Sequence, residues 1–407
     1  MRLLFATRIT RMFAYGLLSV VLALYLVQLG LTEPQIGLLF SLTLAGDAII
    51  SLWITTNADR IGRKRMLMAG ATLMVLAGVA FAITNNYIVL TLAAIIGVIS
   101  PSGKEVGPFL AIEQAALTQL LPNQKRTQTF AWYNLAGSFA TAAGALAGGG
   151  MAEVLQNTGT APLSSYRVLV VTYGLLGLVL MALFARATSS VEVEAKQIKP
   201  TASTISPVLG LTHSRNIVLK LSALFALDAL GGSLVLDSFV ALWLFQKFGM
   251  SPAQLGSIFF ATNILAGISA LSASSIAKRI GLINTMVFTH VPSNILLMLV
   301  PLMPSWQLAV ALLLARFSIS QMDVPTRQSY TMAVVQPEER SAAAGVTSIA
   351  RSVGSTIGPT LTGLMLRAGA GWLSAPFFIA GALKIMYDLA LYRSFVSLRP
   401  DEEKRAG

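Results

Sequence analysis

The sequence predicts an all-α integral membrane protein, with twelve transmembrane helices in two pseudo-symmetric six-helix bundles. Three observations lead there. Of the 407 residues, 55% are hydrophobic and only 11% charged, and the mean hydropathy is +0.71; a soluble domain carries roughly a quarter charged residues. Apolar runs of about 20 residues, the length that crosses a hydrocarbon core of roughly 30 Å, recur about twelve times. The chain also repeats itself. The basic stretch Asn57-Ala58-Asp59-Arg60-Ile61-Gly62-Arg63-Lys64-Arg65 has an echo in Ile276-Ala277-Lys278-Arg279-Ile280-Gly281. The offset 281 − 62 = 219 lays Gly62 on Gly281, Gly30 on Gly249 and Gly37 on Gly256, and an offset of 214 lays Arg126 on Arg340 and Gly144 on Gly358. Five pairs in chain order point to duplication of one unit.

The net charge of +12 and pI of 10.1 do not indicate a nucleic-acid binder, because a soluble basic face with aromatic or polar readers is missing. Lys and Arg instead crowd alternate connections: Arg60, Arg63, Lys64 and Arg65, then Lys125 and Arg126, Lys196 and Lys199, Lys278 and Arg279, Arg340, and Lys404 and Arg405. In the other connections Arg167, Lys247 and Arg367 are the exceptions. The first set is therefore expected on the cytoplasmic side of a cell inner membrane, with both termini. There is no cysteine, and the two histidines are His213 and His290, so no disulfide, metal site or other cofactor is expected. Met1-Arg2-Leu3-Leu4 runs into an apolar segment with no small-residue cleavage site, which reads as a retained first helix.

The elements follow in order, with a first bundle over 1–185, a linker over 186–216, a second bundle over 217–395 and a cytoplasmic tail over 396–407. Helix 1 spans about Leu4 to Leu29, with Arg8 and Arg11 at its cytoplasmic end read as snorkelling side chains. Thr32-Glu33-Pro34 caps helix 2, as Ser251-Pro252 caps helix 8. Helix 2 carries Asp47 at membrane depth, a functional-site residue by default. Helix 3 spans about Met66 to Ile83 and ends at Asn85-Asn86. Residues Tyr87 to Pro122 are too long for one crossing and are interrupted by Ser100-Pro101-Ser102-Gly103-Lys104-Glu105-Val106-Gly107-Pro108. Either helix 4 is broken there and lines a cavity, or the stretch is an outer loop and the helix begins at Pro108. Helix 5, about Ala131 to Met151, is rich in glycine (Gly137, Gly144, Gly148, Gly149, Gly150), which reads as a packing seam. Helix 6 spans about Val168 to Phe184, and the polar stretch Arg186 to Arg215 is the linker.

Helix 7, about Leu219 to Phe245, holds Asp228 and Asp237, nine residues apart and so on opposite faces of a continuous helix. Helix 9, about Leu282 to Leu302, carries His290 and Asn294 on one face, with His290 read as a hydrogen-bonded packing residue rather than a proton relay. Helix 10, about Trp306 to Val335, contains Arg316, Asp323 and Arg327. Helix 11, about Ala342 to Leu366, contains Arg351, Gly354, Gly358 and Pro359. Helix 12, about Trp372 to Phe395, contains Lys384 and Asp388. The i,i+4 spacings of Asp323 with Arg327 and of Lys384 with Asp388 predict two structural ion pairs.

Two repeats of six helices, a central linker and a basic turn after helix 2 resemble the major facilitator superfamily over nearly the whole chain. That family's turn reads roughly Gly-x-Leu-Ala-Asp-Arg-x-Gly-Arg-Lys; here it stands as Thr55-Thr56-Asn57-Ala58-Asp59-Arg60-Ile61-Gly62-Arg63-Lys64, matching from Ala58 to Lys64. The resemblance implies that Asp59, Arg60, Gly62, Arg63 and Lys64 belong to a charge network that gates the cytoplasmic side. Charge that only sets topology would not need Asp59. Gly144-Ala145-Leu146-Ala147-Gly148-Gly149 is similar to the family's antiporter motif Gly-Pro-x-x-Gly-Gly without its proline, while Gly358-Pro359 stands at the equivalent place in helix 11. The arginine that drug-efflux members carry early in helix 4 is replaced by the run Ala93-Ala94-Ile95-Ile96-Gly97.

The leading expectation is a secondary active transporter of a small polar or charged solute, working by alternating access with protons as coupling ion. Its pathway would use Asp47, Lys104, Glu105, Glu113, Asp228, Asp237, Arg316, Asp323, Arg327 and Arg351, since a carboxylate that alternately faces water and low dielectric changes its proton affinity. Because helices 2 and 11 of the family face each other across the two halves, Asp47 and Arg351 are expected to approach one another. Glu113 maps onto Arg327 by the 214 offset, placing opposite charges at related sites. The alternative is a multidrug or lipophilic-compound antiporter using Trp132-Tyr133, Trp243 and Phe317. An enzyme is not expected, for no nucleophile-and-base pair, metal cluster or phosphate loop is present. The expected partners are the solute, protons and the lipid bilayer, and one chain can supply a complete pathway as a monomer.

Overall fold

The computed structural model describes residues 1–120, 123–187, 211, 213–369 and 371–398. Most of the expected linker and of the tail, from 188 to 210 and from 399 to 407, lies outside the described residues. The regular structure among the described residues is helical throughout, with sixteen α-helices along twelve segments. In chain order these are α1 (Arg2–Ser19) with α2 (Leu22–Gln28), α3 (Glu33–Ile61), α4 (Arg63–Ile83), α5 (Tyr87–Ile96) with α6 (Phe109–Leu120), α7 (Asn123–Asn157) and α8 (Pro162–Ala185). They continue as α9 (Arg215–Leu234) with α10 (Asp237–Phe248), α11 (Pro252–Ile280), α12 (Leu282–Leu299), α13 (Trp306–Phe317) with α14 (Asp323–Val334), α15 (Arg340–Arg367) and α16 (Ala375–Phe395). Among the described residues, seven helical spans are long and apolar enough to cross a membrane, and α1 with α2, bent by 45°, makes an eighth. The other segments are diluted by Gly, Ser and charged residues or shortened by breaks.

Local chemistry sets the helix starts. The Thr32 and Gln35 side chains form a capping box at α3, followed at once by Pro34. Asn86 Oδ1 accepts from the amides of Ile88 and Val89 and so starts α5.

Four segments are interrupted: the first, fourth, seventh and tenth. The helix-4 break is the one the prolines and glycines announce, and it spans residues 97–108 with Gly103 at φ 63° and Gly107 at φ 82°. The other three correct the reading of continuous helices 1, 7 and 10. Each follows a serine whose hydroxyl bonds back to a carbonyl three residues earlier: Ser19 to Gly16, Ser233 to Leu230 and Ser318 to Ala315. The same bond at Ser272 and Ser355 leaves α11 and α15 unbroken, so the serines accompany these breaks without accounting for them. Asp228 and Asp237 accordingly sit on two different helices, α9 and α10, rather than on opposite faces of one.

By packing, the chain divides into two compact units, one from residues 1–200 and 236–264, the other from 201–235 and 265–407. In the first unit α1 packs on α7, α4 on α8 and α3 on α5, and α10 docks on α2. Ser238 fastens α10 there, its amide donating to the Pro101 carbonyl at 3.1 Å and its hydroxyl to the Ser19 carbonyl at 2.6 Å. In the second unit α9 packs on α15 and α16, and α12 on α16, around Leu221, Phe225, Met286, Tyr330, Tyr387 and Leu391. Close approach replaces hydrophobic drive between helices in lipid. A Cβ on Gly144 would stand 2.9 Å from the Leu17 amide nitrogen, and one on Gly358 would stand 2.8 Å from that of Leu234.

Candidate functional site

Each unit encloses a charge network on the helices next to its breaks. In the first unit, Thr7, Arg8 and Arg11 fall on one face of α1 at i, i+1 and i+4. The Arg11 guanidinium grips Glu113 of α6 through two parallel bonds of 3.0 and 2.8 Å, and both side chains are fully buried. Its Nε donates to Glu105 at 2.7 Å. Glu105 also takes Arg8 Nη1 at 2.6 Å, while Arg8 Nε donates to the Tyr133 carbonyl at 3.0 Å. Thr7 Oγ1 donates to Glu113 at 2.7 Å, and the Tyr133 hydroxyl donates to the other Glu113 oxygen. The guanidinium carbons of Arg8 and Arg11 lie 4.5 and 4.7 Å from the ring centroids of Tyr133 and Phe109. Two cations and two carboxylates thus neutralise one another, and every carboxylate oxygen is bonded. The reading of Arg8 and Arg11 as snorkelling side chains is wrong: both are buried.

The helix-4 break beside this network takes backbone groups out of the helix ladder, and side chains bond them instead. Asp47 Oδ1 accepts the Gly107 amide at 2.5 Å and the Ser51 hydroxyl at 3.2 Å. The Tyr15 hydroxyl donates to the Val106 carbonyl at 3.1 Å, the Tyr173 hydroxyl to that of Val98, and Ser100 Oγ to that of Lys104 at 2.7 Å. The Lys104 side chain is exposed.

In the second unit the hub is Asp228 on α9. Lys384 Nζ of α16 lies 2.6 Å from its Oδ1; Arg327 Nη1 of α14 and Arg351 Nη1 of α15 lie 2.9 and 3.3 Å from its Oδ2. Arg327 also holds Asp323 at 3.1 Å, the pair its i,i+4 spacing predicts. The expected Lys384–Asp388 pair is replaced by two others. Lys384 goes to Asp228, and Asp388 holds His290 Nδ1 at 2.8 Å and Asn294 Nδ2 at 3.2 Å. Each charge finds a partner on a neighbouring helix, Lys384 on α9 and Asp388 on α12. Asp47 and Arg351 are each engaged inside their own unit. Asp237 opens α10 half-buried, and the Arg316 guanidinium lies 4.8 Å from the Phe317 ring centroid.

The two networks are the same device with the signs exchanged. Arg11 pairs with Glu113, and Asp228 pairs with Arg327; the offsets are 228 − 11 = 217 and 327 − 113 = 214. Independent backbone contacts give the same register, since Leu17 lies beside Gly144 and Leu234 beside Gly358.

At the basic turn, Gly62 adopts φ 112° between α3 and α4, a conformation that disfavours other residues. Arg63 Nη1 donates to Gln119 Oε1 at 2.9 Å, and Lys64 Nζ reaches the carbonyls of Ala185 and Ala187 at 2.7 and 2.9 Å, just where α8 ends. Arg60 is exposed, and the Asp59 side chain lies outside the described residues. Of the remaining glycines, Gly148 abuts Leu17 and Gly149 abuts Gly256, while Pro359 lies inside α15. A cleft of about 490 Å³ opens between α1 and α7, lined by Met1, Phe5, Thr129, Trp132, Leu135, Ala136 and Phe139.

Comparison with known proteins agrees with this architecture. An uncharacterized membrane protein of Saccharomyces cerevisiae is 31% identical over 98% of this chain and 94% of its own length. The quinolone resistance protein NorA of Staphylococcus aureus is 23% identical over 90% of this chain and 88% of its own. Among solved structures, a bacterial homologue of the human lysosomal transporter Spinster, inward-facing and unoccupied, superposes with a TM-score of 0.75 at 16% identity, covering 98% of this chain and 97% of that one. The D-xylose-proton symporter superposes with a TM-score of 0.70 at 15% identity, covering 96% of each chain. The family model described as Major Facilitator Superfamily matches residues 4–291 and 221–407. The chain belongs to the major facilitator superfamily, a family of multi-pass membrane transporters and not of enzymes.

Proposed function

We propose that this transporter moves a small polar or charged solute by alternating access and couples the movement to protons. The observation that carries the reading is the Asp228 hub. One buried carboxylate faces three cations from three helices, and the most accessible of them, Arg351, has a side chain 37% exposed. An anionic group arriving at Arg351 competes with Asp228 for it, and the negative charge left behind is balanced most readily by a proton. Asp323 and Arg327 hold the neutral surroundings that make this exchange matter, while Glu105 and Glu113 keep the network of the first unit neutral. Asp47 keeps the helix-4 break in shape, and Lys104, Asp237 and Arg316 border the pathway. The turn from Asp59 to Lys64 gates the cytoplasmic side, where both termini lie, and Gly144, Gly148, Gly149, Gly358 and Pro359 let helices slide in close contact. The protein acts as a monomer of two six-helix bundles, 1–185 and 217–395, in a cell inner membrane.

A second reading, export of lipophilic compounds, has the apolar cleft beside Trp132 and Phe139 in its favour. Proteoliposomes with a trapped pH indicator separate the two, when organic anions, amino acids, sugars and lipophilic cations are screened against the parent and Arg351→Gln. Proton flux driven by a polar anion and reduced at least about tenfold in the variant, a loss of about 1.4 kcal/mol, supports the first reading. Flux with lipophilic cations alone supports the second, and solute exchange without proton movement removes the coupling.

A further inference from the structure

We propose that His290 is the site that takes up the coupling proton, poised by Asp388 behind it and answering to Asp228 in front of it. This rests on reading the Asp228 hub as part of the transport pathway.

The imidazole lies between two carboxylates. Nδ1 is 2.8 and 3.1 Å from the two oxygens of Asp388, and Nε2 is 3.9 Å from Oδ1 of Asp228. An ionised carboxylate only accepts, so the Asp388 contact puts the hydrogen on Nδ1 and leaves Nε2 as the bare nitrogen facing the hub. Asp388 is fully buried and held by Asn294 Nδ2, while Asn294 Oδ1 finds no partner among the described residues. The amide is thus oriented by Asp388 alone. A buried carboxylate behind a histidine fixes its tautomer and steadies the imidazolium that forms on protonation.

Charge arithmetic says when that happens. The packed elements contribute Asp228 from α9, Lys384, Tyr387 and Asp388 from α16, Asp323, Arg327 and Tyr330 from α14, and Arg351 from α15, while Arg316 of α13 lies against the Phe317 ring. Within the bonded cluster, Asp228, Asp323 and Asp388 balance Lys384, Arg327 and Arg351, so it is neutral while His290 is neutral. When Arg351 turns to an anionic group, the cluster is one positive charge short, and a proton on Nε2 restores the balance and can bond to Asp228. The proton comes from water on the Arg351 side and returns to water when Arg351 comes back.

The histidine count makes this testable without knowing the solute. His213 is the other histidine, and its ring is 84% exposed. In a His213→Gln background, histidine labelled with ¹⁵N therefore reports His290 alone in lipid nanodiscs. The neutral ring should carry its hydrogen on Nδ1, and adding Arg351→Gln should convert it to the doubly protonated form at a pH where the parent ring is neutral. Asp388→Asn should abolish the Nδ1–H preference. A ring protonated on Nε2 alone, or one whose state ignores Arg351→Gln, overturns the proposal. In liposomes, accumulation driven by a pH gradient should fall at least tenfold in His290→Gln. Should no solute move protons even in the parent, the transport reading fails while the spectra still decide whether His290 answers to Arg351.

Discussion

Arg11→Met is the sharpest test of the first network. The substitution keeps an unbranched side chain of similar length on α1 but removes the cation that serves both Glu105 and Glu113. Glu105 retains Arg8, while Glu113, fully buried, is left with the hydroxyls of Thr7 and Tyr133. Breaking one side of a buried pair costs about 3–5 kcal/mol. With roughly 2–4 °C per kcal/mol for a unit of this size, the apparent Tm in detergent should drop on the order of 10 °C at neutral pH. Arg11→Met combined with Glu113→Met should regain most of it, because a neutral apolar pair replaces a neutral ion pair. A double variant as unstable as the sum of the singles, or a single variant within about 1 kcal/mol of the parent at pH 7, would refute the reasoning.

Three further outcomes follow from the geometry. Asp228→Asn should destabilise more than Lys384→Met, and Lys384→Met more than Arg351→Gln, since the first leaves three cations converging on an amide and the last removes the most exposed partner; thermal shifts in one detergent rank them. Lys64→Met should cost about 0.5–1 kcal/mol by uncapping the end of α8, seen as faster amide exchange at Leu183 to Ala185. Glu339→Gln removes the charge that accepts the His213 and Ser214 amides at 2.9 and 2.8 Å. It should speed exchange in the first turn of α9 about fivefold, equivalent to about 1 kcal/mol.

The sequence makes legible what rests on local signals. Pro101, Gly103, Gly107 and Pro108 announce the helix-4 break, and the i,i+4 spacing of Asp323 and Arg327 announces their contact. The breaks in helices 1, 7 and 10 contain no such marker, and the serines that precede them look like any others in a membrane helix. Arg8 and Arg11 were misread because their partners, Glu105 and Glu113, lie about a hundred residues away. A charge balance would have found them, since two membrane-depth glutamates in the first half need cations and α1 is where they stand. Lys384 and Asp388 show the limit of spacing rules: the four-residue interval is right, but tertiary partners on α9 and α12 offer each charge something better.

The sign exchange between the two networks bears on how such a protein changes over generations. A duplication delivers two identical copies, so at least one of the two pairs arose or changed its order after it. The scaffold therefore holds each site to a zero sum and leaves open which helix supplies which term. Selection of that kind leaves a mark at neither position alone; it appears only as compensating replacements, in which a change on α1 or α9 is answered on α6 or α14.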